Sequence, residues 1–200
     1  MRALRFLGGL AVLALLAGCA PAVRMRGDAA MYRGQQQREH ALAGADHWTL
    51  SGRLGVSDGH NGGSGSLEWH QDGDHYDFQL RAPITGKSFR LTGGPGGALL
   101  EGLEGGPLRG PDAESLMRKA LGWEMPLSDL RAWVLGLRAD SGPAELRFGD
   151  DHLPSLLLQD GWTVDYRRWD VSRTPALPVQ IFASKPPYTV RLFIESWQLK

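Results

Sequence analysis

Trp48, Leu50, Gly52, Leu54 and Val56 occupy alternate positions, with Thr49, Ser51 and Arg53 between them. A period of two places the first set on one face of an extended strand and the second on the other, so the stretch is buried on one side only when it joins a sheet. The pattern recurs. Leu67 and Trp69 alternate with Glu68 and His70, Asp72-Gly73 supplies a hairpin turn, and Tyr76, Phe78 and Leu80 share the next face. Further short strands are expected at 88–91, 98–101, 144–148, 155–158, 162–168, 179–183 and 188–199. The 27 glycines fall mostly between these alternations, as in an all-β domain with many turns. On this pattern 58–65 reads as a glycine-rich turn.

The period changes once. Pro111 suits a first helical turn, Asp112 and Glu114 complement the positive helix N-terminus, and Leu116, Met117, Ala120 and Leu121 cluster on one face before Gly122 stops the helix. A second amphipathic helix starts at Pro126, with Leu127, Leu130, Trp133, Val134 and Leu137 on its apolar side. The order is therefore sheet, helix pair, sheet. An antiparallel sheet interrupted once in this way can curl around the helices. The expected fold is mainly β with minor α, an open or half β-barrel of about ten or eleven strands with a lid or plug of short helices. Small barrels of this kind hold one apolar ligand.

Upstream of the strands the chain has a different character. Arg2 and Arg5 form a basic start, and Phe6 to Ala17 is apolar but too short to span a bilayer, which needs about 20 residues. Residues 1–18 read as a signal peptide. Leu16-Ala17-Gly18-Cys19 resembles the lipobox of bacterial lipoproteins, which implies cleavage before Cys19 and acylation of its thiol and new amino group. Cys19 is the only cysteine, so no disulfide competes for it. In lipoproteins of this kind an aspartate after the cysteine favours the inner membrane. Ala20 stands there, so the resemblance implies the periplasmic face of the outer membrane. Residues 19–45 read as the lipidated N-terminus, a linker and a short helix, and 46–200 as the folded domain.

Several functions are excluded or disfavoured. Loss of Arg2 and Arg5 takes the balance of 22 basic and 22 acidic residues to a net charge of −2, which argues against nucleic acid and against polybasic membrane binding. His70-Gln71-Asp72-Gly73-Asp74-His75 contains metal-binding residue types, but Asp-Gly is the expected turn and its flanks read as solvated polar residues. Gly62-Gly63-Ser64-Gly65-Ser66 precedes a strand and lacks the last glycine of a nucleophile elbow. Gly93-Gly94-Pro95-Gly96-Gly97 has neither the spacing nor the helix of a phosphate loop. Neither an enzyme nor a cofactor or metal is expected.

The run GWEMPLSDLRAWVLGL over 122–137 resembles the central helical segment of the LolB family of outer-membrane lipoprotein receptors. Trp69 before a hairpin turn, Ala82-Pro83-Ile84-Thr85-Gly86 after a strand, Pro175-Ala176-Leu177-Pro178 and a last strand with Trp197 agree in order. The resemblance covers essentially the whole mature chain. It implies a monomeric receptor that takes lipoproteins from a LolA-like periplasmic carrier, holds their acyl chains in an apolar cavity and inserts them among outer-membrane lipids. The cavity or its lid would be formed by Trp69, Phe78, Leu116, Leu130, Arg131, Trp133 and Leu137. Pro83, Ile84, Thr85 and Gly86 match the family's membrane-insertion loop, with Ile84 where the family usually shows leucine. The alternative is another lipid-anchored lipid-binding or envelope-assembly protein with a similar barrel.

Overall fold

The computed structural model describes residues 23–82, 88–122 and 125–200. Alternation becomes two meanders. A two-residue strand β1 (Met25–Arg26) and helix α1 (Ala29–Leu42) come first, followed by β2 (His47–Ser57), β3 (Gly62–Asp72), β4 (His75–Arg81), β5 (Ser88–Gly94), β6 (Gly97–Glu101) and β7 (Leu108–Gly110). Helices α2 (Ala113–Leu121) and α3 (Leu127–Val134) interrupt the strands. The second meander is β8 (Ala144–Phe148), β9 (Pro154–Gln159), β10 (Trp162–Asp170), β11 (Leu177–Lys185) and β12 (Tyr188–Leu199).

Among the described residues twelve strands form one antiparallel sheet in the order β1-β8-β9-β10-β11-β12-β2-β3-β4-β5-β6-β7. The meanders are joined by their longest strands, β12 running against β2 from Thr189↔Ser57 to Leu199↔Trp48. β1 and β7 are the two edges, so the barrel is open. This topology dictates where the helices go: β7 ends at one edge and β8 begins beside the other, so the chain between them crosses the sheet. Amphipathic helices make that crossing over the inner face, where one core cluster joins Trp48, Trp69, Leu116, Trp133, Val164 and Ile194.

Two expectations change. β1 and β7, at two and three residues, are too short to show a period, and they raise the strand number above the ten or eleven expected. Gly62 to Gly65 is not a turn but the first part of β3, paired from Ser57↔Gly62 to Leu54↔Gly65. A Cβ on Gly65 would lie 2.2 Å from the Arg81 carbonyl oxygen, so glycine here permits close approach of β4. The helix expected within 19–45 is α1, fourteen residues long, and β1 before it already pairs with β8. Asp28 caps it, accepting from the amides of Ala30 and Met31 at 2.8 and 2.9 Å.

Candidate functional site

The helix pair is linked by a shared cap. Asp112 caps α2 by accepting from Ser115 N at 2.6 Å, and Gly122, at φ 70°, closes it in the left-handed conformation. Pro126 at the start of α3 has no capping side chain. Glu114 of α2 fills the role instead, accepting from Ser128 N at 3.0 Å. Ala113, Leu116 and Met117 from α2 and Leu127, Leu130, Trp133 and Val134 from α3 are buried.

Trp133 is fully buried (0 % exposed) and held at both its polar ends. Its indole N–H donates to Gln159 Oε1 at 3.1 Å, and its carbonyl accepts from the Tyr166 hydroxyl at 3.1 Å. Burial raises the Tyr166 pKa, so the phenol stays a donor. Gln159 in turn ties down the chain after α3, donating to Ala139 O at 2.6 Å and Gly142 O at 3.0 Å while accepting from Ala139 N at 2.9 Å. Arg131 faces the β3–β4 turn, 3.4 Å from Asp74.

Opposite the helices, aromatic rings tile the sheet. Trp48 lies 5.0 Å from Trp69 and 5.4 Å from Trp197, and Trp69 lies 5.6 Å from Phe78, all edge-on. Trp69 donates to Gln71, and Trp197 to the Pro178 carbonyl. Between wall and helices remains a cleft of about 200 Å³, bordered by Trp69, Tyr76, Leu127 and Arg131. That is less than the ~300–1,000 Å³ of ligand sites. Among the described residues the helices thus sit close against this wall and leave little open space between.

A clamp unforeseen in the sequence holds them. Arg38 of α1 is only 7 % exposed, and burial pulls its guanidinium down to about 10. It donates to Leu135 O at 2.6 Å, Gly136 O at 2.9 Å and Ala176 O, and stacks on Trp169 at 4.6 Å. Gln35 donates to Gly136 O at 3.1 Å, and Glu39 receives both arms of Arg138 at 2.8 and 2.7 Å. Together they fix the segment leaving α3. A groove of about 1120 Å³, lined by polar and apolar side chains alike, runs alongside, between the end of α1, α3 and residues 137–144.

The expected cavity or lid residues thus come together: Trp69 and Phe78 in the wall, Leu116 on α2, Leu130, Arg131 and Trp133 on α3, and Leu137 half-buried just beyond it. Cys19 and the stretch Pro83, Ile84, Thr85 and Gly86 lie outside the described residues. The two histidines of the turn go separate ways. His70 meets Thr49 at 2.8 Å and Glu68 at 3.0 Å, whereas His75 packs beside Gly94. Gln35, Arg38, Glu39 and Gln159 were not foreseen. The one signal for the first two is their spacing with Met31 and Leu42, which traces a helical face despite its polarity.

Residues 46–197 match the model of the family described as outer membrane lipoprotein LolB. The chain is 39% identical to the outer-membrane lipoprotein LolB of Xanthomonas axonopodis pv. citri (strain 306), covering 96% of this chain and 94% of that one. It is 34% identical to the LolB of Pseudomonas putida (strain GB-1), over 94% of this chain and 92% of the relative. Among solved structures, a LolA superfamily protein from Nitrosomonas europaea superposes with a TM-score of 0.51 over 83% of this chain and 93% of its own, at 10% identity. That likeness is one of fold.

Proposed function

The chain belongs to the LolB family of outer-membrane lipoproteins, and from that premise we propose that it is a lipid-anchored receptor which accepts lipoproteins from a LolA-like carrier and delivers them to the outer membrane. The observation that carries the reading is the helix pair seated on an aromatic wall through its apolar side chains, with polar contacts at its ends and no strand pairing to the sheet. Displacing α2 and α3 would expose Trp69, Phe78, Leu116, Leu130 and Trp133 as one apolar surface. An acyl chain of about 16 carbons burying about 0.8 kcal/mol per methylene gains at most about 13 kcal/mol, from which ordering and lid opening subtract. Cargo then moves downhill, from a weaker holder to this one and on to the bilayer.

Cys19 is the anchor in this reading, and the segment carrying Ile84, between β4 and β5, is the part that enters the membrane at release. The test is transfer of a fluorescently labelled triacylated lipoprotein from the carrier to a soluble form lacking Cys19. Stable capture of the triacylated cargo, with no capture of the same cargo without acyl chains, is the expected result. Equal capture of both forms would sink the acyl-chain site.

A further inference from the structure

We propose that, in the anchored protein, the corner formed by β1, the first turn of α1 and the end of β8 rests on the phospholipid headgroups of the membrane that holds the anchor. The inference depends on Cys19 being the acylated residue and adds which surface of the domain faces the bilayer.

The argument starts from the length of free chain. Met25 is already paired with Phe148 in the sheet. It stands six positions after Cys19, with five residues between, so the lipidated residue lies at most about 21 Å away even with the chain fully extended. The arm is also fixed where it joins the domain. Arg24 pairs with the buried carboxylate of Asp165 on β10, which it shares with Arg167 at 2.7 Å. Gly27 threads between two rings: a Cβ there would meet Phe148 at 2.5 Å and Tyr32 at 2.8 Å, and those rings stand edge-on at 5.2 Å. The leash therefore cannot lengthen by peeling β1 off without breaking this packing. A domain held so closely can present only a limited part of its surface to the bilayer.

The surface at that point suits the headgroup region. Tyr32 and Val23 are 43 % and 47 % exposed, two of the few large apolar side chains outside the core among the described residues. Tyrosine has an apolar ring and a polar tip, which is why it is favoured at membrane–water boundaries. Arg26 and Arg33 are exposed beside them, where phosphates would accept from their guanidinium groups. Asp28, Asp150 and Asp151 are exposed in the same corner, so its charge is nearly balanced. The leash and the amphipathic side chains, not a basic field, keep it in place. The β2–β3 turn around His60 lies at the other end of the strands and in the middle of the sheet order, far from this corner.

The experiment uses the full lipidated protein in vesicles of phosphatidylethanolamine and phosphatidylglycerol carrying a headgroup spin label. Because Cys19 is acylated and no other cysteine exists, Arg33→Cys and His60→Cys each supply one thiol for a fluorophore at an exposed position. Quenching is expected to be at least about threefold stronger at position 33, since the leash spans at most about 21 Å. Equal quenching, or stronger quenching at position 60, in protein whose Cys19 is acylated by mass and which still accepts cargo, would overturn the orientation and leave the receptor reading standing. A mass showing no acyl group on Cys19 would remove the premise and overturn the orientation with it.

Discussion

Arg38 shows how much a single side chain can determine in this molecule. Its guanidinium is buried without a carboxylate of its own, and its charge is met by carbonyl oxygens from two separate loops. Replacing the guanidinium by an apolar group leaves those oxygens without their donor and removes the stacking on Trp169. Arg38→Met is expected to cost about 3 kcal/mol, read as a lower urea midpoint at pH 7. Arg38→Lys should recover less than half of that, because an ammonium lacks the planar fork that reaches three carbonyls. Glu39 adds a pH dependence. Burial raises its pKa, but the bonds from Arg138 and Gln35 outweigh that and hold it below the usual 4.5. A carboxylate depressed in the folded state contributes stability above its unfolded pKa and loses it as pH falls through the folded value. Below about pH 4.5 the clamp should therefore weaken by roughly 1 kcal/mol, a partly exposed pair being worth little more. Glu39→Gln should lower the midpoint at pH 7 and abolish that share of the acid-side slope.

Elements differ in how plainly the sequence announces them. The long strands were legible because one face is buried and the other wet, and α2 and α3 because their buried residues are apolar. α1 was only partly legible: its buried face is Met31, Gln35, Arg38 and Leu42, so the helical spacing is there and the hydrophobicity is not. β1 and β7 carry no periodic signal at all, since their places are set by the neighbours β8 and β6. Most of the residues packed between sheet and helices could be named from sequence, as apolar positions on inward faces, whereas the clamp could not, because backbone carbonyls leave no trace in residue identity. The same holds for the link between the two helices. Glu114 caps α3 from α2, so Glu114→Ala should free the first turn of α3 at a cost of about 1 kcal/mol. Amide hydrogen exchange at Ser128 to Leu130 is expected to speed up several-fold with the strands unaffected. Unchanged exchange there would mean that the lid's two helices move independently.

At the scale of the whole molecule, the corner at β1 and the strand ends that flank the segment proposed to enter the membrane, Arg81 of β4 and Ser88 of β5, lie at opposite ends of the sheet. β1 joins beside the end of β8, whereas residues 83–87 connect the end of β4 to the start of β5, which runs back antiparallel. For Ile84 to touch the membrane that holds the anchor, the open barrel has to tip so that its strands lie along the bilayer. Such a motion needs no change in the core, only the freedom of the short leash. It follows that acceptance and delivery are separable. Ile84→Glu should leave thermal stability within about a degree and cargo acceptance intact, because a charge that remains in water costs little. Delivery to liposomes should fail, since a carboxylate resists entering hydrocarbon. If Ile84 were a packing residue instead, burying the unpaired charge would cost several kcal/mol and lower the melting temperature steeply. Melting temperature, capture of labelled cargo and its transfer to liposomes, measured on this one variant, decide between the two. Undiminished delivery, or a collapse in stability, would take the membrane-entering role away from Ile84.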